Sequence, residues 1–189
     1  MKKTYLFASI ICSISAINTA HANNTIEFIG EITDSTCDVK LEGPSSTTVT
    51  LPTIASSQLP AADTTAGRTQ FALLASNCVL NNGKTKVAAF FNASTTTGPD
   101  ANNVDSASGY LNNLATGTPA TNVQLRLNDS TSNKVIKVGY TDQVTEAGYV
   151  TVDGDGKARM PYSVEYYATA SGVTAGAVRS VVVYDLMYQ

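Results

Sequence analysis

Apolar and polar residues alternate along most of this chain with a period of two rather than 3.6, the pattern of strands that bury one face. In the last such run Val182, Tyr184, Leu186 and Tyr188 fall on one face, and Val183, Asp185, Met187 and Gln189 on the other. That apolar face continues to the final residue, so it calls for a cover: an earlier strand of the same chain or an added strand from another chain. Similar runs predict strands at residues 26–33, 37–41, 47–51, 69–78, 86–92, 109–113, 122–128, 134–138, 158–168 and 177–188. Clusters of Gly, Asn, Asp, Ser and Thr punctuate them, and many short strands at this spacing predict a β-sandwich. Helix is confined to one turn at 54–59, bracketed by Pro52 and Pro60. Residues 93–108, polar and containing Gly98-Pro99, read as an exposed connection, and Asp153-Gly154-Asp155-Gly156 as a hairpin turn between Val150 and Ala158.

The opening of the chain follows a different pattern. Lys2 and Lys3 precede a mostly apolar stretch at 5–17, and Ala20-His21-Ala22 is an A-x-A cleavage signal, so residues 1–22 read as a secretory signal peptide. The apolar stretch is shorter than the ~20 residues a membrane-spanning helix requires. An exported chain of 167 residues remains, enough for one domain with a real core. It carries 10 Lys and Arg against 15 Asp and Glu, a formal charge of −5, without the basic footprint that nucleic acid would demand.

Chemistry narrows the function further. The exported chain keeps two cysteines, Cys37 and Cys78, and in an exported protein such a pair predicts one disulfide, since zinc or redox sites require more ligands or a C-x-x-C spacing. The single histidine, His21, leaves with the signal, which removes the commonest general base and the Ser-His-Asp arrangement. No phosphate-binding loop or nucleophile elbow is present. The Asp153–Gly156 aspartates lack the further oxygen ligands and terminal Glu of a calcium loop, so no metal or other cofactor is expected. Tyrosines at 162, 166, 167, 184 and 188 read as core or interface residues with hydroxyls at a polar rim.

At the start of the exported chain Ile26, Phe28, Gly30 and Ile32 alternate with Thr25, Glu27 and Glu31, Ile29 being the exception. The signal peptide, this alternating segment with Gly30 seven residues before Cys37, the Cys37/Cys78 pair, Gly176 fourteenth from the end and the penultimate Tyr188 together resemble the pilin subunits of bacterial chaperone-usher fimbriae. Asn122-Val123-Gln124-Leu125-Arg126-Leu127 and residues 162–168 resemble a major shaft subunit in particular.

The resemblance implies an incomplete immunoglobulin-like sandwich that lacks its final strand: residues 23–33 as an N-terminal donor extension and 34–189 as the pilin domain. It implies that Ile26, Phe28 and Ile32 are the large donor side chains and Gly30 the small one, and that Gly176, Val182, Tyr184, Leu186 and Tyr188 belong to the receiving groove. Implied partners are identical or related pilin subunits, a periplasmic chaperone, an outer-membrane usher and a tip adhesin, with the product a fimbria on the bacterial surface. The expected function is structural, without enzymatic activity. The alternatives are a minor or tip-proximal subunit with a glycan-binding role, and an autonomous secreted sandwich enzyme or inhibitor whose terminal strands pair within one chain.

Overall fold

A computed structural model describes residues 29–44, 47–93 and 100–189. The strand positions 26–28 therefore lie outside the described residues, and residues 29–35 carry no strand. From Thr33 onward the chain forms one compact unit. Its elements are β1 (Thr36–Leu41), a 3-10 turn (Ser56–Gln58), β2 (Thr65–Val79), β3 (Lys86–Asn92), β4 (Leu111–Asn112), β5 (Val123–Asp129), β6 (Lys134–Ile136), α1 (Gln143–Glu146), β7 (Val150–Thr151), β8 (Ala158–Ala168) and β9 (Val183–Tyr188).

Two sheets result, as the alternating pattern predicts. One runs β1-β2-β8-β5-β4 with β6 against β5, and the other runs β7-β3-β9. Every ladder is antiparallel. The inward faces meet in a core of Leu73, Val87, Ala89, Phe91, Leu125, Leu127, Met160, Tyr162 and Val164. Tyr162 joins the layers: its hydroxyl accepts the Ala89 N–H at 3.0 Å, and its ring meets Phe91 edge-on at 5.0 Å. Burial pushes that phenol well above its ordinary titration range.

The structure corrects several expectations. Residues 47–51 join no ladder, although Val49 and Leu51 pack against the core. The run 109–113 keeps only two strand residues, and the run 177–188 is a strand only from Val183, because β3 offers no partner beyond Asn92. Residues 153–156 do turn, with Asp153 N donating to Lys157 O at 2.8 Å, but β7 pairs with β3 whereas β8 pairs with β2 and β5. The turn is thus a crossing between sheets rather than a hairpin. Asp153 serves the turn itself, its Oδ1 accepting the N–H groups of Asp155 and Lys157.

β2 is longer than its apolar run, and Gly67 explains how. There the ladder with β8 shifts register, at φ +66°, and a Cβ would stand 2.8 Å from the Tyr166 ring. The polar run 93–108 reads as exposed, yet Asn103 in it is fully buried.

Candidate functional site

The two sheets do not close on each other along one side. β1 is the edge of the larger sheet and β9 the edge of the smaller, and between them lies a cleft of about 580 Å³. Leu41, Val49 and Leu51 line one wall, while Val178, Val182 and Tyr184 line the other. Its floor is the sandwich core itself: Phe71, Leu73, Phe91, Leu111, Leu125, Leu127, Val164 and Tyr166. An apolar floor of this kind, open to solvent, is costly to leave uncovered and is shaped for an extended chain.

Hydrogen bonding makes one wall of the cleft a free edge. Gln189 exchanges N–H···O bonds with Lys86 in both directions, at 2.9 and 3.0 Å, so by strand alternation the odd-numbered residues of β9 turn their backbone groups toward β3. Tyr184, Leu186 and Tyr188 turn theirs the other way, where no ladder among the described residues meets them. The far side of β3 differs. There β7 covers only Lys86 and Val87, and beyond it other groups take over: Tyr162 takes the Ala89 N–H, Gln143 Oε1 accepts from Phe91 N at 2.8 Å, and Gln143 Nε2 and Gly139 N donate to Phe91 O at 3.0 and 2.9 Å. The far side of β3 is thus largely occupied, whereas the outer side of β9 is open.

The expected groove residues take distinct places. Val182, Tyr184, Leu186 and Tyr188 all pack partly buried against the core, and Val182 and Tyr184 also line the cleft. Tyr188 lies at the opposite end, where its hydroxyl is hydrogen-bonded to the Cys37 backbone; burial raises its titration point and that bond opposes the rise. Cys37 and Cys78 are joined with Cα atoms 4.1 Å apart, fixing β1 to β2 at the register shift beside Asp38. Gly176 precedes the wall: a Cβ there would sit 2.4 Å from Ala120 N and 2.5 Å from Pro119 C, so glycine is what admits this backbone approach.

Of the expected donor residues, Ile26 and Phe28 lie outside the described residues. Gly30 has nothing within 4 Å of where a Cβ would stand, and Ile32 is 98% exposed, as is Ile29 at 88%. Exposure of this order is unusual for a large aliphatic side chain. Among the described residues no group of three His, Cys, Asp or Glu side chains is placed to hold a metal, and no helix is long and apolar enough to cross a membrane.

Sequence reasoning missed the residues that tether the cleft wall. Asn103 Nδ2 donates to Val181 O at 2.8 Å, Asn113 Nδ2 donates to Ala177 O at 2.9 Å, and Asn113 Oδ1 accepts from Arg179 N at 3.0 Å. Asparagine-rich composition reads the same whether its amides meet water or backbone, so no local signal distinguishes them.

Comparisons with known proteins agree with this architecture. Residues 51–189 match the family described as type-1 fimbrial protein, A. The chain is 39% identical over 170 residues to the major fimbrial subunit SMF-1 of Stenotrophomonas maltophilia (strain K279a), covering 88% of this chain and 93% of that one. It is 28% identical to a type-1 fimbrial protein subunit of Serratia marcescens over the whole of both chains. The P pilus rod subunit PapA shares the fold, with a TM-score of 0.52 at 19% identity over 87% of this chain and all of that one. A type I fimbria protein of Burkholderia pseudomallei gives 0.51 at 20% identity, covering 82% of this chain and 99% of that one. The sandwich is therefore of the incomplete immunoglobulin-like kind, its open cleft a property of the fold. The chain belongs to the type-1 fimbrial protein family and is a structural subunit of a surface fimbria.

Proposed function

We propose that copies of this chain join end to end by strand addition, residues 23–33 of one copy filling the cleft of the next. In this reading Ile26, Phe28 and Ile32 bury their side chains on the cleft floor, and Gly30 passes where the floor leaves little depth. Val182, Tyr184, Leu186 and Tyr188 are the receiving edge, and Gly176 holds the approach to it. The observation that carries the reading is the sheet edge at β9, paired on one side only and bordering an open apolar cleft. Donor-strand complementation is an established form of β-augmentation, in which backbone bonds supply affinity and alternate side chains supply fit.

Burial of three large donor side chains contributes roughly 5 to 9 kcal/mol before the cost of ordering the segment. Such a cleft is exposed before assembly, so a periplasmic chaperone first lends it a strand, parallel to β9. At an outer-membrane usher the incoming extension replaces that strand, antiparallel to β9. A tip adhesin ends the fibre. The reading assigns no catalytic step to the chain, whose exported part has no histidine.

Deleting residues 23–32, or substituting Phe28→Asp, should yield a subunit that is still captured in the periplasm but donates to no neighbour. Electron microscopy of cells bearing only the deleted subunit should show no fibres; fibres of normal length would overturn the donor assignment.

A further inference from the structure

Residues 178–182 form one wall of the cleft, yet β3 ends at Asn92 and provides neither them nor Ala177 before them with a ladder. Their backbone bonds go instead to the segment 100–120. Ala177 N donates to Thr118 O at 2.9 Å and Ala177 O accepts from Ala120 N at 2.9 Å, while Arg179 O accepts from Leu114 N at 2.7 Å. The Asn103 and Asn113 side chains supply the remaining bonds to Val181 O, Ala177 O and Arg179 N. The Arg179 guanidinium adds an ion pair to Asp100 at 2.8 Å.

Every tethered residue in this wall is odd-numbered, the same parity that β9 turns toward β3. An extended backbone alternates, so Val178, Ser180 and Val182 turn their N–H and C=O groups the opposite way, in line with Tyr184, Leu186 and Tyr188. The Ser180 hydroxyl on this wall is buried and, among the described residues, has no hydrogen-bond partner. The free edge thus extends from 178 to 188, about eleven residues, equal to the length of the segment 23–33. Only its second half rests on a β-ladder.

We propose that Asn103 and Asn113 are positioning residues for subunit joining: by holding residues 177–182 extended, they lengthen the receiving edge beyond the strand that β3 can support. This inference rests on the strand-addition reading. In an antiparallel joint the extension's later residues, including Ile32, pair with 178–182 and its earlier residues with 183–188. Loss of the Asn103 side chain removes the donor to Val181 O, loss of the Asn113 side chain removes the acceptor of Arg179 N, and either weakens capture of the later residues alone.

The test uses the full exported chain carrying Phe28→Asp, so that it receives without donating, and a synthetic peptide of residues 23–33. Peptide affinity is measured by fluorescence anisotropy, and amide exchange in the bound complex by NMR. Asn103→Ala and Asn113→Ala should each weaken peptide binding about tenfold. In the complex both should speed exchange at 178–182 and leave 183–188 unchanged. Unaltered affinity, or equal acceleration across both segments, would overturn the positioning role and assign these asparagines to general stability. If the chain with both asparagines intact fails to bind the peptide, the strand-addition reading fails and this inference with it.

Discussion

Glu165 lies on the outer face of the larger sheet with only 2% of its surface exposed, a place where a carboxylate is rarely tolerated without partners. Arg68 Nε donates to its Oε2 at 2.9 Å, Arg126 Nη2 to its Oε1 at 2.7 Å, and Asn128 Nδ2 to Oε1 at 3.2 Å. Burial pushes this carboxyl up, but those hydrogen bonds and the Arg126 charge outweigh it and hold the group below its ordinary value. The folded value lies below the unfolded one of about 4.3, so the stabilisation is complete above that pH and is lost as pH falls through the folded value. Glu165→Gln should therefore cost about 2 kcal/mol at pH 7 and flatten the acid limb of stability. Urea titrations at pH 7 and at pH 3 check this; an acid limb as steep as in the parent chain would contradict it. The sequence concealed the group because alternation assigns it to the wet face, and only the register of β5 against β8 brings Arg126 opposite it.

Among the elements, legibility followed burial. β3 and β8 match their predicted ranges to the residue because apolar runs and the ladders coincide there. The run 177–188 reads as one strand, yet its first half depends on amides some seventy residues away, which no local pattern encodes. Val49 and Leu51 were legible as buried, but alternation cannot say whether a neighbour exists to complete a ladder. The cleft shows the same division: its wall residues Val182 and Tyr184 were readable from periodicity, and its floor, built by β2, β3, β4, β5 and β8, was not. The cysteine pair was readable because an exported chain with two thiols has few other uses for them. Closing a loop of 41 residues, the Cys37–Cys78 bond should contribute about 4 kcal/mol on the chain-entropy account. Cys37→Ser with Cys78→Ser should lower the denaturation midpoint of a donor-deficient chain accordingly, as circular dichroism would read; an unchanged midpoint would place the anchoring of β1 elsewhere.

For the whole molecule, an open cleft makes folding and assembly one problem. A chain that binds a strand only when folded gains stability from it by mass action, so the joined form should far outlast the single one. Purified fibres should run as an SDS-resistant ladder that collapses to one band on boiling. A single band without heating would show that the joint lacks the predicted strength.

The occupied far side of β3 has a consequence for the polymer. Tyr162 and Gln143 occupy that side of β3, so the strand-addition reading assigns the small sheet one acceptor, the outer side of β9, and the extension one donor. In the language of step-growth chemistry this is a monomer of functionality two with unlike ends. Such monomers give linear chains that cannot branch or cross-link, and one monofunctional stopper per chain is enough to define an end. Length would then be governed by stoichiometry, through the ratio of subunits to stoppers, and the decision would rest on two side chains buried inside each bead.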